Sequence, residues 1–465
     1  MRPVLLIDFG STYTKLTAVD TQAPRILGGA QAFTTASTDI MRGFEEALAR
    51  LTASAGPLRF DARLACSSAA GGLRMVVCGL VPALTTKAAR LAAFGAGAKV
   101  VRTYAYGLTR EDVREIGETA PDILLLTGGT DGGNTEVILR NAGMIAGIPG
   151  EWPVVVAGNR GAQDECAEIL RAGTHPVYTA ANVMPEMNRL NPGPVQQVIR
   201  DVFLTRIVRA KGLSRASAML DDILMPTPSA ALAALTLLSE GTKATRGLGE
   251  LAAVDLGGAT TDVYSIARGD PAKPGVFLRG LPEPYAKRTV EGDIGMRYSA
   301  AGVLEAAGAE QLAAHAGVTT ESLLDYAARL RSAPDTLPES PEEEALDRAL
   351  AIGAVGAAFA RHCGTLERVY TPAGPVDQQN GKDLTSVRRV VLTGGALIYA
   401  RDAQDILNHS LAMQPPSSLC PRGAGALTDR RYALSAMGLL GGADPEAALR
   451  LMLDDFGKEE NDAAG

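Results

Sequence analysis

The sequence has no excess of basic residues, no long apolar run and no closely spaced cysteines. Lys and Arg together number 45 against 52 Asp and Glu, a net charge of −7. That balance leaves no electrostatic footprint for nucleic acid or an anionic membrane surface, so neither is expected as a partner. The longest apolar stretches, around 351–360 and 436–443, are short and rich in Ala and Gly, well below the roughly 20 residues that span a bilayer. The N-terminal run MRPVLLIDFGSTYTKL is broken by Asp8 and Lys15 before a signal-peptide core is complete. A cytoplasmic protein is expected. Cys66, Cys78, Cys166, Cys363 and Cys420 are scattered and form no Cys-x-x-Cys, which argues against a zinc site or disulfide framework and for buried, reduced thiols. The four histidines lie far apart without metal-ligand spacing, and the single tryptophan, Trp152, reads as a packing residue.

What is present is an ordinary globular composition, 46% apolar and 21% charged over 465 residues, too long for one core and suited to two or three domains. Residues 3–8 and 13–19 read as strands flanking a glycine turn, followed by a helical stretch at 38–54 and a strand at 62–66. Between 76 and 190 the strand-like runs VVRTY, DILLLTG, PVVVAG and HPVYTA alternate with helical segments, the pattern of right-handed βαβ units on a parallel sheet. A helical stretch spans 195–223, and Pro226 and Pro228 interrupt the chain before another. At 251–266 the run LAAVDLGGATTDVYSI repeats the N-terminal design. The segment 332–344 is Pro- and acid-rich and reads as a surface loop; the charged end, 457–465, reads as a disordered tail.

The chemistry concentrates in the two hairpins. In D8-F-G-S-T-Y-T-K15 a carboxylate ends a buried strand, Gly10 permits close approach of backbone to an anionic oxygen, Ser11, Thr12 and Thr14 offer hydroxyls, and Lys15 offers positive charge. Asp8 cannot bind phosphate itself; its use is to hold Mg²⁺ through water. D255-L-G-G-A-T-T-D262 repeats the grammar, with Gly257, Gly258, Thr260 and Thr261 around Asp255. Further on, V390-V-L-T-G-G-A396 brings a strand to Gly394 and Gly395, where backbone can lie flat against an adenosine moiety. L126-T-G-G-T130 looks the same locally, but only the later LTGG lies downstream of the second hairpin.

These motifs, with the helical TPSAALAAL at 227–235 and YALSAMGLLG at 432–441, resemble the superfamily of actin, sugar kinases and heat-shock chaperone ATPases. The resemblance implies a duplicated actin-like, ribonuclease-H-like α/β fold with Asp8 and Asp255 facing each other across a cleft that holds ATP and Mg²⁺. Within the superfamily, SSAAGGLRM at 67–75, TGGTDGGN at 127–134, VAGN at 156–159, NVMPEMN at 182–188 and RTVEGDIGMR at 288–297 resemble the MutL/GlmL accessory proteins of adenosylcobalamin-dependent mutases such as glutamate mutase and ornithine aminomutase, unrelated in fold to mismatch-repair MutL. This narrower resemblance implies a chaperone-like reactivating factor that uses ATP to release damaged cobalamin from mutase subunits. Gly292 or Gly295, on either side of Asp293, is a further candidate nucleotide contact. Thr227 stands where the chaperones carry an acidic residue, which implies that hydrolysis is slow or uses another group.

The division implied is an ATPase subdomain at 1–75, an inserted doubly wound α/β domain at 76–190, the return of the first subdomain at 191–250 and a second subdomain at 251–456. The insert already lies outside a complete nucleotide site, so it is expected to recognise the client, with Asp131, Glu136 and Asn159 near its strand ends. Asp293 reads as a helix N-cap or a nucleotide neighbour. A small-molecule kinase of the same fold is the alternative, but no catalytic base with supporting context is visible; an iron–sulfur redox activator is disfavoured by the scattered cysteines.

Overall fold

The computed structural model describes residues 1–10, 12–35, 39–68, 73–207, 222–372 and 374–462. The chain forms two compact units. One comprises 1–234, 280–284 and 435–451; the other comprises 235–279, 285–434 and 452–465.

In the first unit, β1 (Pro3–Phe9) is buried along its whole length, as expected of a continuous apolar run at the centre of a sheet. It pairs antiparallel with β2 (Tyr13–Asp20), which pairs antiparallel with β3 (Arg25–Phe33). The helix Ile40–Ala55 is started by the Asp39 side chain, which accepts from the Met41 N–H, and it buries Phe44, Ala47 and Leu51 on one stripe. β4 (Ala62–Ser67) then lies parallel to β1.

The chain continues into β5 (Leu73–Gly79), β6 (Ala98–Ala105), β7 (Ile123–Leu126), β8 (Val154–Val156) and β9 (Val177–Thr179). All five are parallel, in the order β6-β5-β7-β8-β9. Helices intervene at Lys87–Gly95, Arg110–Thr119, Glu136–Ala146 and Gln163–Arg171. β10 (Asp222–Pro226) returns to pair with β4.

The parallel sheet starts at Leu73 and is bound to the first sheet by packing. Met75, Val77, Ile123, Leu125 and Val155 belong to the same apolar cluster as Leu5, Ile7 and Phe9. The alternate residues Val76, Cys78, Leu124, Leu126, Val154 and Val156 form a separate cluster on the other face, as the two-residue period of a strand requires.

The second unit repeats the design. β11 (Leu251–Leu256) pairs antiparallel with β12 (Thr261–Ile266). After β13 (Val276–Arg279) comes β14 (Ala286–Glu291), antiparallel to β12. β15 (Thr365–Thr371) and β16 (Gly374–Asn380) join β13 in a separate three-stranded sheet. β17 (Arg389–Thr393) is parallel to β11, and β18 (Gly425–Thr428) is parallel to β17.

The main sheet orders are thus β3-β2-β1-β4-β10 and β14-β12-β11-β17-β18, each with antiparallel pairing on one side of the central strand and parallel pairing on the other. This is the duplicated actin-like arrangement, and the sequence expectation of that fold is met. Among the described residues no helix is long and apolar enough to cross a membrane.

Two readings of the sequence change. The acidic stretch expected as loop becomes, from Pro341, the first turn of the helix Pro341–His362, with Ser340 capping it and Glu342, Glu343 and Glu344 at its positive end. The last helix, Pro445–Asp462, continues into the stretch read as a tail; residues 463–465 lie outside the described residues, as do Ser11, 69–72 of the motif at 67–75 and 208–221 of the helical stretch at 195–223.

Candidate functional site

Each unit carries a candidate site built on its central strand. In the first, the hairpin turn is closed by the Gly10 N–H, which donates to Tyr13 O at 3.1 Å. A Cβ on Gly10 would stand 2.5 Å from that same oxygen, so the turn admits only glycine without shifting. In the second, the Gly257 N–H donates to Thr260 O at 3.0 Å, and a Cβ there would meet Thr260 O at 3.0 Å. The register matches too: Asp8 lies opposite Lys15, and Asp255 lies opposite Asp262. On the parallel side Asp8 is level with Cys66, and Asp255 with Thr393.

Asp8 is 4% exposed and is held from several directions. Thr227 Oγ1 donates to its Oδ1 at 2.7 Å, Ser435 Oγ donates to its Oδ2 at 3.0 Å, and the Cys66 thiol lies 3.5 Å from Oδ1. Lys15 Nζ stands 3.8 Å from Oδ2. Burial and the neighbouring carboxylate push the Cys66 thiol well up, so it remains protonated and can donate to Asp8. The result is a fixed, oriented negative charge. Ser435 was not singled out from the sequence; its signal was its place in the first turn of the second connecting helix. Thr227 was singled out only as a missing acid.

Beside Asp255 the charge pattern is inverted. Where the first unit has Lys15, the second has Asp262, and the Arg288 guanidinium binds it at 2.5 Å with both side chains almost buried. A buried pair of this kind is costly to break, because either partner alone is a stranded charge.

The loop following Asp255 is braced from behind. The Met296 N–H donates to Gly257 O at 3.0 Å, and the Arg297 and Tyr298 N–H groups donate to Gly258 O at 2.8 and 2.9 Å. Ser299 Oγ donates to Ala259 O at 2.7 Å. A Cβ on Gly295 would lie 2.5 Å from the Ala259 carbonyl carbon. The glycine that lets these segments meet is therefore Gly295; Gly292 stands earlier, in the turn after β14. Asp293 caps no helix: its carboxylate binds Arg361, while the next helix starts at Ala300 with Ser299 in the cap position.

Two hydroxyls expected to face phosphate turn inward. Thr14 and Thr261 are both fully buried; Thr14 Oγ1 shares a 3.0 Å hydrogen bond with Thr34 Oγ1, and Thr261 Oγ1 donates to Ile294 O at 3.0 Å. They occupy equivalent places, opposite Phe9 and Leu256, so strand alternation sends both to the core face. Thr12 is exposed, and Gly258 and Thr260 are half-buried.

At the end of β17, Gly394 has φ +92° and would direct a Cβ into the Leu256 carbonyl, whereas a Cβ on Gly395 meets nothing within 4 Å. Thr393 Oγ1 donates at 3.0 Å to Asp429, whose carboxylate also accepts from the Ala433 and Leu434 N–H groups. Burial nonetheless pushes the Asp429 carboxyl up to about 6.

In the parallel sheet, Asn159 is fully buried and ties down the loop after β7, accepting from the Gly132 N–H at 3.2 Å and donating to Gly133 O at 2.9 Å. Asp131 Oδ1 accepts from Asn182 Nδ2 and from the Arg160 N–H, each at 2.9 Å. Glu136 opens the following helix. Tyr106 and Met187, 61% and 64% exposed, stand on the loops after β6 and β9. Tyr106 is held at φ +67°, its N–H donating to Leu80 O and its carbonyl accepting from Asn141 Nδ2.

The histidines are not all isolated: the His315 and His409 rings approach to 4.4 Å. Among the described residues no group of three or more His, Cys, Asp or Glu side chains could hold a metal ion.

A family model described as MutL protein matches residues 4–456. Protein MutL of Clostridium tetanomorphum is 47% identical over 458 residues, 97% of this chain and 98% of its own length. Among solved structures, diol dehydratase-reactivating factor in nucleotide-free form aligns over 95% of this chain and 100% of its own, with 11% identity and a TM-score of 0.36. A ligand-bound xylulose kinase from Lactobacillus acidophilus aligns over 100% of this chain and 99% of its own, with 12% identity and a TM-score of 0.35. Likenesses this distant add nothing to the fold argument, which rests on the repeated strand order.

Proposed function

The chain belongs to the MutL protein family, and on that footing we propose that it is an ATP-dependent reactivating factor for an adenosylcobalamin-dependent mutase. The observation that carries the nucleotide part is the repeated hairpin: in each unit a central strand delivers a carboxylate to a turn closed by a glycine N–H, in the same register. Backbone N–H groups of such turns, together with Gly10, Ser11, Thr12 and Lys15 in one unit and Gly257, Gly258 and Thr260 in the other, would cradle phosphate oxygens. Asp8, already engaged by Thr227 and Ser435, would serve Mg²⁺ through water, which suits a cation that dehydrates reluctantly. Asp255 would offer Mg²⁺ a carboxylate in the second unit. Gly394 and Gly395 would receive the adenosine. Thr14 and Thr261 would shape the loops from inside.

The test is calorimetric titration of the full chain with magnesium and a non-hydrolysable ATP analogue. Asp8→Asn and Asp255→Asn are each expected to weaken binding at least tenfold with circular dichroism unchanged; undiminished binding in both removes the nucleotide assignment. The client is tested separately, by asking whether ATP and this chain restore turnover to a cobalamin-inactivated mutase. We place client recognition on the C-terminal edge of the parallel sheet, where α/β sheets carry their ligands.

A further inference from the structure

Of the five cysteines, two that are distant in sequence meet at the end of the long helix of the second unit. Cys363 follows His362 and is extended, with φ −74° and ψ 165°. Immediately after it the chain pairs antiparallel with residues 417–419. The Leu419 N–H donates to Gly364 O at 2.9 Å, and the Leu366 N–H donates to Ser417 O at 2.8 Å. Thr365 and Ser418 are bridge partners between these two hydrogen-bonded pairs. Cys363 and Cys420 lie two residues beyond this isolated bridge on the two segments; the Gly364 N–H turns aside to Lys382 O at 2.7 Å, and the Cys363 side chain hydrogen-bonds Cys420.

A second contact fixes the same juxtaposition. The Phe359 carbonyl accepts from the Cys363 N–H at 2.9 Å and from the Cys420 thiol at 3.6 Å. A disulfide spans Cα separations of about 4.4–6.8 Å, and the shared Phe359 carbonyl together with the Cys363–Cys420 hydrogen bond holds the two residues side by side. Both side chains are reduced, and both are buried, Cys363 at 9% exposure and Cys420 at 1%.

We propose that Cys363 and Cys420 form a reversible thiol–disulfide switch that staples the end of the helix Pro341–His362 to the segment entering β18. The oxidant is a small-molecule disulfide. The Cys363 thiolate, on the more exposed side, attacks one sulfur of that disulfide and expels the first small thiolate. The Cys420 thiolate then attacks the Cys363 sulfur of the mixed disulfide, expelling the second. The two protein protons end on the two small thiols, so one disulfide bond is broken and one is formed.

The surroundings favour Cys420 as the resolving thiolate. Hydrogen bonds from Cys363 and from Ser418 Oγ, the latter at 3.0 Å, together with the Arg422 charge, hold its thiol below the ordinary value against the opposing effect of burial. The closed loop would contain β15, β16 and β17 with the Gly394–Gly395 turn, so oxidation would restrain the segment that carries it. Thiol pairs that oxidise transiently inside proteins are regulatory more often than structural.

The full chain is incubated in glutathione buffers of graded oxidised-to-reduced ratio, quenched by alkylation, and mapped by mass spectrometry. The expected result is a single Cys363–Cys420 cross-link that appears at a defined ratio, is reversed by dithiothreitol, and raises the thermal unfolding midpoint of the oxidised protein. Cys420→Ser is expected to stop at a mixed disulfide on Cys363, and Cys363→Ser to stay unmodified at Cys420. In case either variant fails to fold, the wild-type map decides alone. A cross-link between other cysteines, or a glutathione adduct on Cys363 that persists in the wild type, overturns the proposal; so does full retention of all thiols under native conditions when they oxidise readily in denaturant.

Discussion

Asp8 illustrates how one residue's environment decides what a substitution there means. Its carboxylate accepts from Thr227 and Ser435, and hydrogen bonds to a charged acceptor are each worth about 1.5–3 kcal/mol. Thr227→Val removes one donor and keeps the shape, so urea unfolding should show a loss of about 1–3 kcal/mol, while Thr227→Ser should restore most of it; equal losses in both variants would mean the hydroxyl is not what matters. Asp429 gives the pH prediction. Its carboxyl is raised from 3.8 to about 6 by burial, so the native state prefers it protonated. That stability is fully present below pH about 4 and is lost as pH rises through about 6, up to about 3 kcal/mol at 1.36 kcal/mol per unit. Asp429→Asn should flatten this part of the profile: relative to wild type, the variant should gain stability between pH 4.5 and 7.5 in urea titrations. An unchanged difference across that range would refute the sign. None of this could be read from sequence, because burial of Asp429 depends on β17, β18 and the helix after them all being in place.

At the scale of the element, the hairpins were legible because their chemistry is local. A strand, a carboxylate, a glycine turn and a return strand follow each other within a dozen residues, and the duplicated order β3-β2-β1-β4-β10 and β14-β12-β11-β17-β18 grows from them. Which hydroxyls face outward was not legible: Thr14 and Thr261 look like Thr12 and Thr260 until strand alternation assigns a face. Gly295 was legible only as a candidate nucleotide contact beside Gly292; its bracing role was not, because it lies in meeting another segment's backbone. The two LTGG turns, told apart in the sequence by their order alone, also differ in three dimensions. Gly395→Ala meets no protein atom, so it should leave the unfolding free energy from urea titration within about 0.5 kcal/mol of wild type, as for a neutral site, yet lower affinity for the ATP analogue if adenosine packs there. Gly394→Ala combines a positive φ with a collision against Leu256 O, and should cost about 2 kcal/mol or more with or without nucleotide. Gly129, at the matching place in the other LTGG, has φ +71° and abuts Asn134 O. It is therefore no neutral control, since substitution there would strain the loop that Asn159 holds. A Gly395→Ala variant with full affinity would remove the adenosine from this turn.

At the scale of the whole molecule, the interposed parallel sheet was recognised correctly as βαβ units, but its independence was not something the sequence could settle. Alternating helix and strand patterns report local periodicity, whereas a shared core depends on which face of each strand is turned toward its neighbour. Met75, Val77, Leu125 and Val155 pack in one cluster with Leu5, Ile7 and Phe9, so excising 76–190 would expose the underside of the N-terminal sheet. At about 25 cal/mol per Å² of apolar surface, that exposure would obscure any effect on a client. Point substitutions at the outer edge ask the question more cleanly. Tyr106 and Met187 are exposed, and Tyr106 is kept in a left-handed conformation by hydrogen bonds that use only its backbone; a strained, solvent-facing aromatic on a fixed loop fits a contact residue better than a packing one. Tyr106→Ala and Met187→Ala should therefore leave the unfolding midpoint and ATP-analogue affinity near wild type, yet together reduce mutase reactivation at least tenfold, as truncation of an interface anchor does. Reactivation at the wild-type rate by the double variant would move client recognition off this edge without bearing on the nucleotide proposal.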